Sequence, residues 1–136
     1  MGSGLGMGDI IAISKLAVKV YIAYKDAPNE YKHVTEEVKS LHIMVKKAAQ
    51  HFESTTLDDN ARQDGQEILK GCQSVLGDLN TLIKKYNSLA SANPGQVFHR
   101  IRLGTEDIAT LRARLTSNAL LLSSFIRRFD IFTIAI

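Results

Sequence analysis

Histidine and cysteine are the side chains here best suited to metal binding or nucleophilic chemistry, but their spacing keeps them apart. His33, His42 and His51 follow one another at intervals of nine residues, and on a helix each interval moves the side chain by half a turn. His33 and His51 would share a face but lie ~27 Å apart at about 1.5 Å per residue. His99 falls on a connector. The sequence therefore predicts no metal site.

Other reactive groups give the same answer. Cys72 lies on an apolar helical seam, where a small buried thiol is more typical than a nucleophile. The adjacent acids, Glu36 with Glu37 and Asp58 with Asp59, are interpreted as surface and helix-capping residues. No phosphate-binding loop, HExxH zinc motif, GxSxG elbow or CxxC pair occurs. We predict no enzyme, no catalytic residues, no cofactor and no small-molecule substrate.

Composition places the chain among single globular domains. It has 136 residues, of which 45% are hydrophobic and 23% are charged. This length and composition are typical of one domain with its own core. A single cysteine excludes an internal disulfide framework and suits a reducing compartment. No uncharged apolar run approaches the roughly 18 residues of a membrane span, and Asp9 and Lys15 interrupt any secretory signal. The sequence predicts a cytoplasmic domain.

Apolar residues at steps of three and four predict an all-α fold, a bundle of four to five helices. The second segment carries the stripe Tyr31, Val34, Val38, Leu41, Val45, Ala48 and Phe52. The third carries Ile68, Cys72, Val75, Leu79, Leu82, Tyr86 and Leu89. The fourth carries Ile108, Leu111, Leu115, Leu122, Phe125 and Phe129, interrupted by Asn118.

Boundary signals divide these segments. Asp58 or Asp59 is a candidate N-cap for the third helix, and Thr105 for the fourth. Asn93-Pro94-Gly95 predicts a turn, and residues 96–103 are either a short helix or an extended connector. Gly65, Gly71 and Gly77 lie inside the third helix, where they either permit close helix approach or leave the helix slack.

The first helix differs from the others because it is apolar around nearly its whole circumference between Ile10 and Tyr24. Lys15, Lys19 and Asp26 supply only a narrow polar strip. A helix of this kind normally lies at the centre of a core. The bundle domain is predicted over residues 9–126, after a flexible glycine-rich leader at 1–8.

The segment 127–136 is predicted to be an apolar tail that begins a continuation of a longer parent protein. Its last six residues, Ile131 to Ile136, are uncharged and β-prone. Such a hexamer is a strand or an aggregation-prone segment when exposed. The interpretation we favour is that the tail packs back on the bundle.

Basic residues concentrate in the second half. Residues 1–83 carry nine basic and eleven acidic side chains, a net charge of −2, whereas residues 84–128 carry eight basic and two acidic, a net charge of +6. A half with a net positive charge suits binding to an anionic partner. The same excess is expected if a basic helix packs against an acidic one within the bundle. Nucleic acid is not expected, because no aromatic residues or recognition motif accompany the arginines.

An apolar helix and a basic half together are what a switchable membrane-active bundle needs: an element sheltered at rest, and cations to meet anionic lipid. Under the simpler alternative the first helix is only the central core helix and the arginines are only solvated. Both interpretations stay open at this point.

Three stretches resemble one group of proteins. Gly6 to Ala12, followed by Leu16-Ala17 and Tyr21 to Asp26, is similar to the opening of N-terminal domains in fungal STAND (NLR-like) and ankyrin-repeat proteins. Residues 36–41 and 104–115 resemble the same group. These domains are akin to the HeLo and HeLo-like domains of fungal incompatibility proteins, and the likeness covers roughly residues 6–126.

The resemblance implies a HeLo-like helical bundle at the front of a larger receptor. Oligomerisation would expose the N-terminal helix, which permeabilises membranes and kills the cell. By this resemblance the membrane-interacting residues are Leu5, Met7, Ile10, Ile11, Ile13, Leu16, Val18, Val20 and Ile22. Those implied to line a pore or contact lipid headgroups are Lys15, Lys19, Arg127 and Arg128. The implied partners are anionic membrane lipids and further copies of the chain, with relocation from cytoplasm to membrane.

The sequence departs from that pattern in two respects. Lys15 and Lys19 lie midway along the first helix, where each would cost ~2.5–3.5 kcal/mol deep in hydrocarbon, although they could face water in a pore. The chain also contains no receptor, nucleotide-binding or prion-like module, so any trigger lies outside it. A non-lytic self-association or adaptor module, for which Ile43 off the main stripe is a candidate contact, is the alternative.

Overall fold

The computed structural model describes residues 7–27, 31–54, 58–90 and 108–135, and within these ranges it contains four helices and no strand. We label them α1 (Met7–Lys25), α2 (Lys32–Ser54), α3 (Asp59–Ala90) and α4 (Ile108–Ala135). The predicted all-α helical bundle is confirmed. Residues 93–105, which include the predicted turn, connector and Thr105 cap, lie outside the described residues.

The four helices form a bundle in which α1 packs against α2 and α3, and α4 packs against the same two helices. The helices α1 and α4 therefore occupy opposite corners. Arg112 near the start of α4 meets Glu37 near the start of α2. Further along both helices Leu120 lies beside Ile43, so α2 and α4 are parallel. Arg128 meets Asp64 and Arg114 meets Asp78, so α3 and α4 are antiparallel.

The predicted apolar seams form the core. Val34, Val38, Leu41, Val45 and Ala48 of α2 are fully buried. From α3 the buried seam residues are Cys72, Val75, Leu79 and Leu82, and from α4 they are Leu111, Leu115, Leu122 and Phe125. Because each fully buried aliphatic side chain contributes about 1.5–3 kcal/mol, these seams account for the association of the helices.

The first helix is not the central one, so that expectation is wrong. It buries one face, made of Ile10, Ile13, Ala17, Val20 and Tyr24, while Ile11, Val18 and Ile22 on the opposite face are exposed. In a bundle of four helices every helix has an outward side. The apolar character of α1 therefore exceeds what its position in the core requires.

Two helix starts can be compared with the predictions. Asp58 is the N-cap of α3: its Oδ1 accepts a hydrogen bond from the Ala61 backbone N–H at 2.7 Å, which confirms one of the two candidates. The first helix begins at Met7, inside the segment predicted as a leader. The remaining leader residues, 1–6, lie outside the described part of the chain.

The end of α4 differs from one expectation. Residues 131–135 continue the helix to Ala135, so the interpretation of this stretch as a strand is wrong. Extending an existing helix fixes one residue for each hydrogen bond gained. A strand would need a partner strand, and the described residues contain none. The β-propensity of Ile, Phe and Thr is too weak to reverse that preference.

Two glycines of α3 have different surroundings. A Cβ placed at Gly71 would lie 2.5 Å from the Asn118 Oδ1, whereas one at Gly77 would meet nothing within 4 Å. Asn118 also donates a hydrogen bond from its Nδ2 to the Arg114 carbonyl at 2.9 Å. Of the two interpretations of these glycines, close helix approach holds at Gly71, where Asn118 interrupts the α4 stripe.

Three tyrosines join α1, the start of α2 and α3 at one end of the bundle. The rings of Tyr24 and Tyr31 pack edge to face at a centroid distance of 6.0 Å, and those of Tyr31 and Tyr86 at 5.6 Å. The Tyr24 hydroxyl donates a 2.6 Å hydrogen bond to the Leu79 carbonyl. Desolvation by burial, followed by the effect of Tyr31, raises the Tyr24 pKa far above its usual value. This tyrosine cluster fixes the C-terminal end of α1.

Candidate membrane-binding surface

The outward side of α1 presents a regular apolar stripe. Ile11, Val18 and Ile22 are 50%, 42% and 61% exposed. Together with Lys15 they follow one another at steps of four, three and four residues, which places them along one side of the helix. The stripe is about 16 Å long at 1.5 Å per residue.

A shallow groove joins this stripe to α2. Ile11 and Val18 line it from α1, and His42 and Ala49 line it from α2. Lys15 and Lys46 also line the groove, and Lys39 lines an adjoining depression that shares Val18 and His42 with it. We call the stripe, the groove and this depression the α1/α2 surface.

The charges on the α1/α2 surface share one sign. The groove and the adjoining depression are together lined by three lysines and one histidine, with no carboxylate among the described lining residues. Burial, and secondarily the charge of Lys46, lower the pKa of His42 below its usual value. His42 is therefore neutral near pH 7 and gains charge only when the pH falls. An apolar floor edged with cations is a surface that suits an anionic amphiphile.

The residues that the resemblance implies for membrane contact differ in their exposure. Ile10, Ile13 and Val20 are buried against the rest of the bundle, and Leu16 is partly buried. Only Ile11, Val18 and Ile22 are exposed among the implied apolar residues whose side chains the structure describes. Leu5 lies outside the described residues, and Met7 is the first residue of α1.

The cations implied for lipid or pore contact differ in whether they contact other side chains of the protein. Lys15 and Lys19 are exposed on α1, and Arg127 is exposed on α4. Arg128 is exposed too, but it has protein partners: its Nη1 lies 3.3 Å from the Asp64 Oδ2, and its guanidinium carbon lies 5.8 Å from the centre of the Phe125 ring.

The arginines of α4 pair with acids of neighbouring helices. Arg112 binds Glu37 through two hydrogen bonds, of 2.8 and 3.3 Å, and this pairing raises the Arg112 pKa. Arg114 binds Asp78 at 2.8 Å and the Ser74 hydroxyl at 3.1 Å. Of the two explanations for the basic half, a basic helix that faces acidic ones describes these arginines.

Sequence reasoning missed the contribution of α2 to the surface. Lys39, His42 and Lys46 recur at steps of three and four, which is a visible signal of one basic helix side. The signal is masked because His42 also belongs to the nine-residue histidine series, which suggests metal binding first. Placing that side next to α1 requires the fold.

No other chemistry emerges from the described residues. They contain no group of three or more histidine, cysteine, aspartate or glutamate side chains that could hold a metal ion. Cys72 is buried, and burial raises its pKa to about 12, so its thiol stays protonated near neutral pH. In the ranges that the structure describes, every helix is too short or too polar to cross a bilayer.

Comparison with known proteins adds no assignment. No family model matches the chain, and neither a curated protein nor a solved structure matches it significantly.

Proposed function

We propose that this chain is a HeLo-like effector domain of a fungal immune or incompatibility receptor, which acts on anionic membranes through α1 when it oligomerises. At rest it resides in the cytoplasm, and on activation it relocates to the membrane and causes cell death. One observation carries the proposal: α1 exposes Ile11, Val18 and Ile22 beside a groove whose described charged lining residues are all basic.

The first step of this function is adsorption to a membrane surface. The exposed stripe is too short and too cationic to enter hydrocarbon lengthwise, but it has the apolar side and basic flanks of an interfacial helix. Each lysine near an anionic leaflet contributes about 1 kcal/mol. Lys15, Lys39 and Lys46 together would supply roughly 3 kcal/mol, in addition to burial of the three apolar side chains.

The second step is release of α1 from the bundle. Ile10, Ile13 and Val20 are buried, so they reach lipid only when α1 leaves its corner. The helix contacts two neighbours, and the tyrosine cluster holds its C-terminal end. Oligomerisation of neighbouring domains would supply the energy for this rearrangement, and Lys15 and Lys19 would then face water in a pore.

Vesicle binding by the full chain tests the first step. We expect co-sedimentation with phosphatidylcholine vesicles that contain phosphatidylserine, and much weaker binding to phosphatidylcholine alone. Added salt should weaken the interaction because it screens the lysines. The double variant Ile11→Ser with Ile22→Ser should lower the partition coefficient at least about tenfold, since both apolar contacts are lost.

The matched control is Leu121→Ser on α4. Leu121 is 52% exposed, about as much as Ile11 at 50%, but lies on the opposite corner of the bundle, so its loss should leave vesicle binding unchanged. The proposal is wrong if anionic lipid does not increase binding or if Leu121→Ser weakens it equally. Dye release from the same vesicles after forced oligomerisation tests the permeabilising step separately.

A second candidate function rests on a different observation. Ile43 on α2 is 44% exposed and lies near Leu120 of α4. A non-lytic oligomerisation or adaptor module would use such a face for protein contacts. Stable association without any response to anionic vesicles would favour this candidate.

A further inference from the structure

A second surface, between α2 and α4, differs in character from the α1/α2 surface. It is lined by Ser40, Ile43 and Met44 from α2 and by Thr116, Ala119 and Leu120 from α4. Ile43 and Leu120 are its two large exposed apolar side chains. We call it the α2/α4 surface.

The charges at the edge of the α2/α4 surface cancel. Glu37 lines it, and the Glu37 carboxylate accepts both hydrogen bonds from Arg112 at 2.8 and 3.3 Å. The other described lining side chains are apolar or carry neutral hydroxyls. Among the described residues, the surface thus has an apolar centre, a neutral polar rim and no net charge.

This absence of net charge indicates what the surface can bind. In a two-fold dimer the same patch of each copy meets its counterpart, so a charged patch repels itself. The α1/α2 surface, which carries Lys15, Lys39 and Lys46, is unsuited to that arrangement. The α2/α4 surface meets the requirement because Glu37, the one acid among its described lining residues, is paired with Arg112.

We infer that the α2/α4 surface is the site of self-association, and that its occupant is a second copy of this chain in a two-fold arrangement. Residues 112–123 of α4 span about 17 Å at 1.5 Å per residue, so the contact is at the small end of specific interfaces. The dimer should therefore be weak, with a dissociation constant on the order of micromolar or above. This inference concerns a different surface from membrane binding and does not depend on it.

Sedimentation velocity of the full chain without lipid tests the inference. Between about 10 and 500 µM, a range suited to a small interface, we expect a concentration-dependent shift from monomer to dimer. Ile43→Lys and Leu120→Lys should each raise the dissociation constant at least about tenfold, because they place like charges into the contact. Ile22→Lys on α1 is the matched control and should leave the dimer unchanged.

Several outcomes would overturn the inference. One is a monomer at every concentration; another is an equal loss of the dimer in all three variants. If another part of this chain covers the surface, the wild type stays monomeric and Ile43→Lys lowers the melting temperature. Circular dichroism and the milder Leu120→Ser variant separate lost contacts from lost folding. A dimer that ignores vesicles would contradict the proposed function alone, whereas a monomer that binds vesicles would contradict this inference alone.

Discussion

The helices α1 and α4 occupy opposite corners of the bundle, and they differ in whether their basic side chains lie against acidic ones. Arg112, Arg114 and Arg128 of α4 each lie against an acid of α2 or α3. Lys15 of α1 instead stands on a groove whose described charged side chains are all basic. Most arginines of the chain lie in its second half, yet the first half holds the uniformly basic groove.

The difference shows that charge counted along the sequence and charge presented to a partner are separate quantities. An arginine with a bidentate carboxylate contact is largely neutralised at short range, whereas an unpaired lysine keeps its full field at the surface. The helix with fewer cations is therefore the better candidate for meeting an anionic membrane.

The largest expected effect separates the two faces of α1. Ile13→Ala should lower the free energy of unfolding by about 2–5 kcal/mol because it leaves a cavity in the core. Ile11→Ala changes the same residue type in the same helix but should alter stability by less than about 0.5 kcal/mol. Urea denaturation measures both. Equal losses would mean that the outer face of α1 is structural and would remove the contrast with α4.

A smaller effect tests how closely α4 approaches α3. Gly77→Ala should stabilise the protein by about 0.5–1 kcal/mol because alanine favours a helix. Gly71→Ala receives the same benefit but displaces Asn118 and its hydrogen bond to Arg114, so it should be about 1–3 kcal/mol less stable than Gly77→Ala. Thermal melts compare the pair, and equal melting temperatures would contradict the tight contact.

Alkaline titration tests how α1 is held. Burial raises the Tyr24 pKa, so the neutral phenol stabilises the fold fully below about pH 10, and this contribution is lost as the pH rises further. Tyr24→Phe should cost about 1 kcal/mol at pH 8 by removing the hydrogen bond to Leu79.

The same variant should also flatten the loss of stability at high pH. The flattening will be partial because Cys72 also has a raised pKa, of about 12. Its neutral thiol therefore contributes a similar loss of stability, which begins as the pH passes the usual pKa of a cysteine. Unfolding curves from pH 8 to about pH 11 measure both effects, a range set by the usual tyrosine and cysteine pKa values. A wild type and a Tyr24→Phe variant with parallel pH profiles would contradict the role assigned to the phenol.

The smallest effect compares the cations directly. Arg112→Gln should lower the free energy of unfolding by about 0.2–1 kcal/mol, as expected for a partly exposed ion pair, and leave vesicle binding unchanged. Lys46→Gln should leave stability unchanged but weaken binding to anionic vesicles about fivefold, the effect of one lysine near such a surface. The reverse pattern would show that α4 meets the membrane.

The sequence was sufficient to predict the helices and most of the core, because apolar residues at helical spacing are a local signal. The α2 stripe from Tyr31 to Ala48 is buried as expected. Asp58 caps α3 through a contact only three residues away. The HeLo-like assignment and its membrane activity stay predictions.

The features that the sequence did not predict depend on contacts between residues far apart in the chain. Arg112 and Glu37 are 75 positions apart, so nothing in the sequence distinguishes this arginine from a solvated one. The corner position of α1 follows from how four helices share a core, and composition does not encode it. The continuation of α4 to Ala135 differs from the expectation because β-propensity describes the isolated hexamer, whereas the preceding helix favours its own extension.

The tyrosine cluster has a practical consequence. The sequence contains four tyrosines and no tryptophan, so the ultraviolet emission of the protein comes from phenol rings alone. Three of these rings stand in edge-to-face contact where α1 ends. Departure of α1 would separate Tyr24 from Tyr31 and change the emission, so the unlabelled protein carries its own optical reporter for that movement.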